Sequence, residues 1–140
     1  MVGNTIQSFD RYIRIDLDAV GANTREIRSH LKDGCLLMAV VKADAYGLGA
    51  VAVAEAIQDD VDAFAVTYLH EGIELRLAGI DKPILVFLPV RAHNAALLRQ
   101  YRLTATIDGM ESLEAMAASG DEPAPCQIKI NTGMNRFGCS

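Results

Sequence analysis

The chain has 140 residues, of which 51% are hydrophobic and 22% are charged, and its formal net charge is −5. This composition fits a globular protein with one modest core, and an acidic balance without a basic stripe argues against nucleic-acid binding. No apolar stretch approaches the roughly 20 residues that a membrane span needs, and the start of the chain lacks the basic and apolar regions of a signal peptide.

Cysteine and histidine usage indicates the compartment and argues against a metal site. The three cysteines show no CxxC spacing, which favours a reduced cytoplasmic protein over a disulfide-linked one. The three histidines are too far apart in sequence to form a ligand pair on one helix: His30, His70 and His93. We therefore predict no metal.

The first predicted elements are a strand and a helix. Apolar and polar residues alternate in YIRIDLDA, residues 12–19, which predicts a half-exposed strand. Asp18 is expected to cap a helix from about residue 19 to 32, and Asp33-Gly34 to end it. Three apolar side chains of this helix are expected to point inward: Val20, Ile27 and Leu31.

Five apolar runs follow, and each is predicted to form a strand: 36–42, 63–67, 84–88, 103–107 and 126–131. Helices are predicted between them: 50–58, 68–78, 91–101 and 109–119. Thr67 and Asp108 are expected to cap the second and fourth of these helices. Strands that alternate with helices in this way indicate a parallel sheet with helical crossovers.

Two architectures satisfy this alternation, a doubly wound sheet and a (β/α)8 barrel. The turn after the first apolar run contains Gly47-x-Gly49 but lacks the third glycine of a dinucleotide-binding fingerprint. We favour the barrel. The five strands would then be the N-terminal portion of the eight that a closed barrel contains.

Lys42 stands out in MAVVKADAYGLG, residues 38–49, because it follows a run expected to be buried on both faces. Active sites of parallel α/β folds lie at the carboxyl ends of the strands. A partly desolvated lysine there can act as a nucleophilic amine and form a Schiff base with a substrate carbonyl or with pyridoxal phosphate. The alternative is a lysine that pairs with Asp44 or faces solvent.

Tyr46 lies four residues further on, beside Gly47 and Gly49. Glycines allow the backbone to approach a phosphate closely, and the tyrosine hydroxyl would add a donor. The alternative is a turn whose aromatic ring packs over the end of the barrel.

The last predicted strand carries a second cationic segment, QIKINTGMNRFG, residues 127–138. Strand alternation places Lys129 on one face with Gln127 and Asn131. Arg136 lies in the loop beyond and could hold a phenolate or carboxylate oxygen. Because this loop and Lys42 lie at the same end of the sheet, they predict one convergent site.

Three segments together resemble the alanine racemase family, in matching order and spacing over the whole chain: IRIDLDAVGANTREIR, AVVKADAYGLG and KINTGMNRFG. The resemblance implies an eight-stranded β/α barrel followed by a mostly β domain, with pyridoxal 5′-phosphate as cofactor. It implies a cytoplasmic homodimer that interconverts L- and D-alanine for D-alanine biosynthesis, with serine as another substrate of such enzymes.

The resemblance also implies roles for individual residues. Lys42 matches the Schiff-base lysine, which is one of two acid/base groups, and Tyr46 matches a ligand of the cofactor phosphate. Arg136 matches the arginine beside the phenolic oxygen, and Lys129 matches a lysine that some members carry carbamylated, as an anion that orients this arginine. Leu48 departs from the family, which usually has histidine there.

Family members are more than twice as long as this chain. Residues 1–140 are therefore interpreted as an incomplete N-terminal cofactor-binding barrel domain, with the rest of the barrel, the β domain and the second proton-transfer group outside them. The isolated chain is expected to be inactive and prone to aggregate through its outer strands. The alternatives are a non-catalytic pyridoxal-phosphate-binding homeostasis protein and an inactive α/β fragment.

Overall fold

The computed structural model of the protein describes residues 12–139, which form one five-stranded sheet with helices on one side. The strands are β1 (Met38–Val40), β2 (Ala63–Val66), β3 (Ile84–Pro89), β4 (Thr104–Ile107) and β5 (Cys126–Ile128). The helical segments are α1 (Leu17–Ser29), α2 (Lys42–Gly47), α3 (Ala50–Ile57), α4 (Leu69–Leu77), α5 (Ala95–Gln100) and α6 (Met110–Ala118). A 3-10 turn, Gln58–Asp60, follows α3.

The strands lie in the order β1-β2-β3-β4-β5, and each neighbouring pair is parallel. A doubly wound sheet reverses its strand order at a switch point, whereas barrel strands follow one another around the wall. The sequential order therefore confirms the prediction of an N-terminal part of a (β/α)8 barrel.

The two faces of the sheet differ in how they are filled. One face packs against the helices, and its central side chains are fully buried; they include Phe64, Val66, Ile84 and Ala105. Such side chains stabilise the fold by roughly 1.5–3 kcal/mol each when they are large and fully buried. The core of the chain is thus the layer between strands and helices, as in a barrel wall.

The opposite face carries apolar as well as small and polar side chains, which lie side by side on neighbouring strands. Ala65 pairs with Leu85, Leu85 with Thr104, and Thr106 with Gln127. Thr104 and Thr106 are buried, and the Thr106 hydroxyl donates to the carbonyl of Val86 at 2.6 Å. A polar side chain on this face positions chemistry inside the barrel without leaving an unpaired group.

The two outer strands are shorter and more exposed than predicted. β1 covers only Met38–Val40 of the predicted 36–42, and β5 covers only Cys126–Ile128 of 126–131. Val40 is 38% exposed and all three residues of β5 are exposed, so the strand before Lys42 is not buried on both faces as predicted. The reason is that each outer strand pairs with one neighbour only among the described residues.

The prediction of a strand over residues 12–19 was wrong, since α1 begins at Leu17 and residues 12–16 are irregular. The cap is Asp16 rather than Asp18, and its carboxylate accepts the amide of Ala19 at 3.0 Å. The helix ends at Ser29, earlier than predicted, and Ile27 is 56% exposed instead of buried.

The two other predicted caps were also wrong, because each helix begins one residue later than the prediction requires. The N-cap of α4 is Tyr68 instead of Thr67, and that of α6 is Gly109 instead of Asp108. The Asp108 carboxylate instead forms a salt bridge with Arg91 at 3.1 Å. The helix predicted from residue 91 begins only at Ala95.

Three arginines, each near the end of a helix, donate hydrogen bonds to backbone carbonyls further along the chain. Nε of Arg28 donates to the carbonyl of Asp60, and Nε of Arg76 donates to that of Tyr101. Nη2 of Arg99 donates to the carbonyl of Met116 at 3.1 Å. Each guanidinium thus satisfies a carbonyl near the end of the following helix, where the backbone lacks partners. Between residues 12 and 139, no helix is both long and apolar enough to cross a membrane.

Candidate active site

A cavity of about 260 Å³ lies on the face of the sheet that is turned away from the helices. Three cationic side chains reach it from opposite edges of the sheet: Lys42, Lys129 and Arg136. The remaining lining is apolar or neutral: Leu85, Phe87, Ile128, Phe137, Thr106 and Gln127. The structure therefore brings together three of the four residues that the sequence placed in one site.

The charge of this cavity is one-sided. Among the described residues that line it, three are cations and none is a carboxylate. Cations that converge without a counter-charge favour an anionic ligand, and Arg136 adds the geometry for two parallel hydrogen bonds to oxygen. The apolar side chains supply a surface for a flat ring.

The backbone after Lys42 is left-handed over four consecutive residues, Ala43 to Tyr46, whose φ values lie between 51° and 57°. We call residues 42–49 the lysine turn. None of these four residues is glycine, and the left-handed conformation costs roughly 1–2 kcal/mol for each such residue. A turn of this kind persists only when surrounding contacts hold it.

Three kinds of contact hold the lysine turn. The Ala45 amide donates to the carbonyl of Val41 at 2.9 Å, and the Ala45 side chain is buried in the core. The carboxylate of Asp44 accepts the amide of Ala50 at 2.7 Å at the start of α3, and so is used for capping. The carboxylate of Glu71, on α4, accepts the amide of Ala43 at 2.6 Å. The turn is thereby tied to two helices.

Tyr46 lies at the rim of the site. Its ring centroid is 5.9 Å from Nζ of Lys42, but the residue is 65% exposed and does not line the cavity. Leu48, at the position where the resemblance leads us to expect histidine, is also exposed. The phosphate contact of Tyr46 stays a prediction.

We call residues 129–139, which overlap the second cationic segment, the arginine loop. It begins where the Lys129 amide donates to the Ile107 carbonyl at 2.8 Å, and it closes where the Cys139 amide donates to the Lys129 carbonyl at 2.8 Å. Within it, Oδ1 of Asn131 accepts the amides of Gly133 and Asn135.

Gly138 allows this closure. Its φ is 127°, and an added Cβ would lie 2.9 Å from both the Asn131 nitrogen and the Lys129 oxygen. The guanidinium carbon of Arg136 lies 5.3 Å from the centroid of the Phe137 ring. Lys129 and Gln127 line the same cavity, in agreement with the shared face predicted for them.

Glu71 was missed by sequence reasoning. It accepts three backbone amides, those of Ala43, Thr67 and Tyr68. An acidic residue in the first turn of a helix is the available sequence signal, because glutamate at the third position often accepts the amide of the capping residue. Its contact with Ala43, 28 residues away, has no such signal.

Comparison with known proteins shows one family. The family described as alanine racemase, N-terminal domain, matches residues 15–140. Alanine racemase from Streptococcus pneumoniae (strain Hungary19A-6) is 44% identical over 126 residues, which are 89% of this chain and 34% of that protein. The chain thus spans about a third of the length of the curated relatives it matches.

Solved structures agree with this match. The alanine racemase from E. faecalis superposes with a TM-score of 0.84 at 38% identity, covering 89% of this chain and 35% of that one. Alanine racemase from Clostridium difficile 630 gives 0.83 at 35% identity, covering 89% and 34%. The biosynthetic alanine racemase from Pseudomonas aeruginosa gives 0.79 at 37% identity, covering 89% and 35%.

Proposed function

Because this chain belongs to the alanine racemase family through that family's N-terminal domain, we propose that it forms the Lys42 part of a pyridoxal 5′-phosphate site in an amino acid racemase. The convergence of Lys42, Lys129 and Arg136 on one cavity is the observation that carries the proposal. The proposed reaction interconverts L- and D-alanine, with serine as an alternative substrate, in a cytoplasmic homodimer.

The residues of the cavity fit this cofactor. Its phosphate and phenolate oxygens are anionic, and Lys42 and Arg136 line the cavity without a lining Asp or Glu among the described residues, whichever form Lys129 takes. The pyridine ring is flat, and Phe87, Ile128 and Phe137 supply apolar surface for its faces. When bound, the cofactor withdraws electrons from the amino acid and so makes its Cα proton easier to remove.

Each cation has a proposed task. Nζ of Lys42 would hold the cofactor covalently and, once the substrate amino group has displaced it, would move a proton at Cα of the substrate. Arg136, in the arginine loop, lines the same cavity as Lys42 and would donate hydrogen bonds to the phenolic oxygen. Tyr46 donates to the phosphate from the rim of the site.

Lys129 and Arg136 are proposed to act as a pair. Lys129 and Arg136 are like charges that line one cavity, and an anion between them would relieve their repulsion. Addition of Nζ of Lys129 to CO2, with loss of one proton, would form a carbamate, a carboxylate-like group that orients the Arg136 guanidinium. Electron density at the Lys129 tip tests this assignment, which a bare ammonium group facing Arg136 with no anion between them would contradict.

Racemisation needs two groups on opposite faces of Cα, one to remove the proton and one to return it. Lys42 is the proposed group on one face. We expect the second group to come from outside residues 1–140, so the 140-residue chain by itself should bind the cofactor without racemising alanine.

The test uses the longest protein in which this sequence occurs, incubated with pyridoxal phosphate and reduced with borohydride. Peptide mapping should place the trapped cofactor on Lys42, and little of it on Lys32, Lys82 or Lys129. Equal labelling of all four lysines would overturn the proposed site. Specific labelling of Lys42 without conversion of L-alanine to D-alanine in that protein would instead support the non-catalytic alternative.

A further inference from the structure

We propose that Glu71 is a positioning residue that aims Lys42 at the cavity by holding the backbone of the lysine turn. This inference rests on the proposed function of Lys42. It concerns a residue that does not line the cavity, so any effect of Glu71 on Lys42 must pass through the backbone between them.

The geometry of the Glu71 carboxylate carries the proposal. Oε1 accepts the Ala43 amide at 2.6 Å, and this amide belongs to the peptide bond between Lys42 and Ala43. Oε2 accepts the amides of Thr67 and Tyr68 at 2.8 and 2.7 Å, directly after β2. One carboxylate therefore joins the end of β1 to the end of β2, and it fixes the plane of the peptide that follows Lys42.

The lysine turn needs such a clamp. Four consecutive non-glycine residues with positive φ are unfavourable, and the backbone would otherwise relax toward right-handed or extended conformations. Relaxation at Ala43 would rotate the preceding peptide plane and redirect the Lys42 side chain. The Ala43 amide directly follows Lys42, and its only described hydrogen-bond partner is the Glu71 carboxylate.

A second role of Glu71 must be separated from this one. Through Thr67 and Tyr68 the carboxylate also satisfies amides at the start of α4, which stabilises that helix regardless of Lys42. A simple deletion of the side chain would remove both effects together. The test therefore needs a variant that separates the two oxygens.

Glu71→Gln provides this separation. The amide oxygen is expected to take the side of Oε2, because there it accepts two amides instead of one. The amide nitrogen then faces the Ala43 amide, and two donors cannot bond to each other. The variant should keep the cap of α4 and lose the link to the lysine turn.

Ser112→Ala is the matched control. Oγ of Ser112 accepts the amides of Asp108 and Gly109 at the start of α6, much as Glu71 accepts those of Thr67 and Tyr68. Ser112 is fully buried and does not line the cavity. Its loss should lower stability without changing Lys42, and so it reports the effect of a lost helix cap.

The measurement is the affinity for pyridoxal phosphate, read from the borohydride-trapped adduct on Lys42, together with the exchange rate of the Ala43 amide. We expect Glu71→Gln to weaken trapping by about tenfold or more, the change that loss of one charge-assisted hydrogen bond implies. Ser112→Ala should stay within about twofold of the parent protein. Ala43 exchange should accelerate in Glu71→Gln only.

The outcomes separate this inference from the proposed function. If the parent protein traps no cofactor on Lys42, the proposed function fails, while the Ala43 exchange rate still tests the clamp. If trapping occurs in the parent and Glu71→Gln matches it in both trapping and exchange, the positioning role is overturned. Equal losses in Glu71→Gln and Ser112→Ala would also overturn it, since they would reflect stability alone. Circular dichroism verifies that both variants are folded.

Discussion

The lysine turn and the arginine loop approach the same cavity from opposite edges of the sheet, but they are held in different ways. The lysine turn is bonded to α3 through Asp44 and to α4 through Glu71. The arginine loop is closed mainly by bonds among its own residues, such as those of Asn131 to Gly133 and Asn135. One side of the site is therefore bonded to the helical layer, whereas the other, among residues 12–139, is bonded to the sheet where Lys129 follows β5.

The difference matches the two tasks proposed for the cavity, which are covalent attachment at Lys42 and binding of an anionic oxygen at Arg136. A covalent attachment point must be fixed before the ligand arrives, since a misplaced nucleophile loses most of its rate advantage. An arginine that binds an anionic oxygen tolerates more freedom, because its charge attracts the ligand over a longer range. We expect changes in the lysine turn to affect the whole fold, and changes in the arginine loop to affect ligand binding alone.

The largest expected effect is that of Lys42→Ala. Removal of the amine should abolish the borohydride-trapped adduct at this position and the absorbance that accompanies it, because no other group in the lysine turn can form the covalent bond. Mass spectrometry of reduced peptides measures the effect. An unchanged yield of adduct in the variant would show that the attachment point lies outside the lysine turn.

The next largest effect is expected from Gly138→Ala in the arginine loop. The added Cβ would approach two backbone atoms to 2.9 Å, so the closure at Cys139 must open and Arg136 must move. We expect cofactor binding to weaken by about tenfold, as when one charge-assisted contact is lost. Titration of cofactor absorbance measures this change.

Gly133→Ala is the control for this substitution. Its φ is also 127°, but an added Cβ would have nothing within 4 Å. The two variants share the backbone cost of an alanine in this conformation and differ only in the collision. Equal losses of affinity in both would show that backbone strain, and not the closure of the loop, governs Arg136.

A smaller effect is expected on the free energy of unfolding, which should fall when the lysine turn is changed and hardly change when the arginine loop is changed. Asp44→Ala removes the side-chain partner of the Ala50 amide, and loss of a helix cap costs about 0.5–2 kcal/mol of unfolding free energy. Asn131→Ala removes bonds within the arginine loop and should leave global stability nearly unchanged. Urea denaturation of both variants compares them, and a loss at Asn131 as large as that at Asp44 would contradict the proposed difference.

The smallest effect on stability is expected at the ion pair between Arg91, which follows β3, and Asp108, which follows β4. Both strands lie between the lysine turn and the arginine loop in the sheet. Burial is the largest single influence on Asp108 and would raise its pKa, but the hydrogen bonds from Arg91 and Ser112 and the charge of Arg91 together outweigh it and lower the pKa. A carboxylate with a lowered pKa stabilises the fold above the usual carboxyl range near pH 4, and the stabilisation is lost as the pH falls through the folded-state value.

Asp108→Asn should accordingly reduce stability by about 0.5–1 kcal/mol at pH 7, the value of a partly exposed ion pair, and the difference should shrink at acid pH. Thermal unfolding of both proteins from pH 7 to pH 3 measures it. A difference that grows as the pH falls would show that the sign of the Asp108 contribution is opposite.

The parts of the fold that sequence predicted are those set by local pattern. The runs around Phe64, Ile84 and Ala105 are mostly apolar because the central strands are buried, and their bounds agree with the structure within two residues. The convergence of Lys42 and Arg136 was also predicted, since parallel strands place their carboxyl ends together.

The remaining features depend on partners distant in sequence. Asp108 has the side chain of a helix cap but pairs with Arg91, and Glu71 reaches Ala43 across 28 residues. Asp16 and Asp18 are equally good caps in sequence, and the structure uses the first. Left-handed backbone at four consecutive non-glycine residues has no local signature, because the contacts that hold it come from other elements.

The links from Arg28, Arg76 and Arg99 to carbonyls of the following helices have a consequence for biosynthesis. Each strand pairs with the one made just before it, and each guanidinium finds its acceptor within the next few dozen residues. Contacts of this short range close small loops, which favours rapid folding. The sheet can therefore grow one unit at a time as the chain leaves the ribosome, each new strand adding to an edge that is already formed.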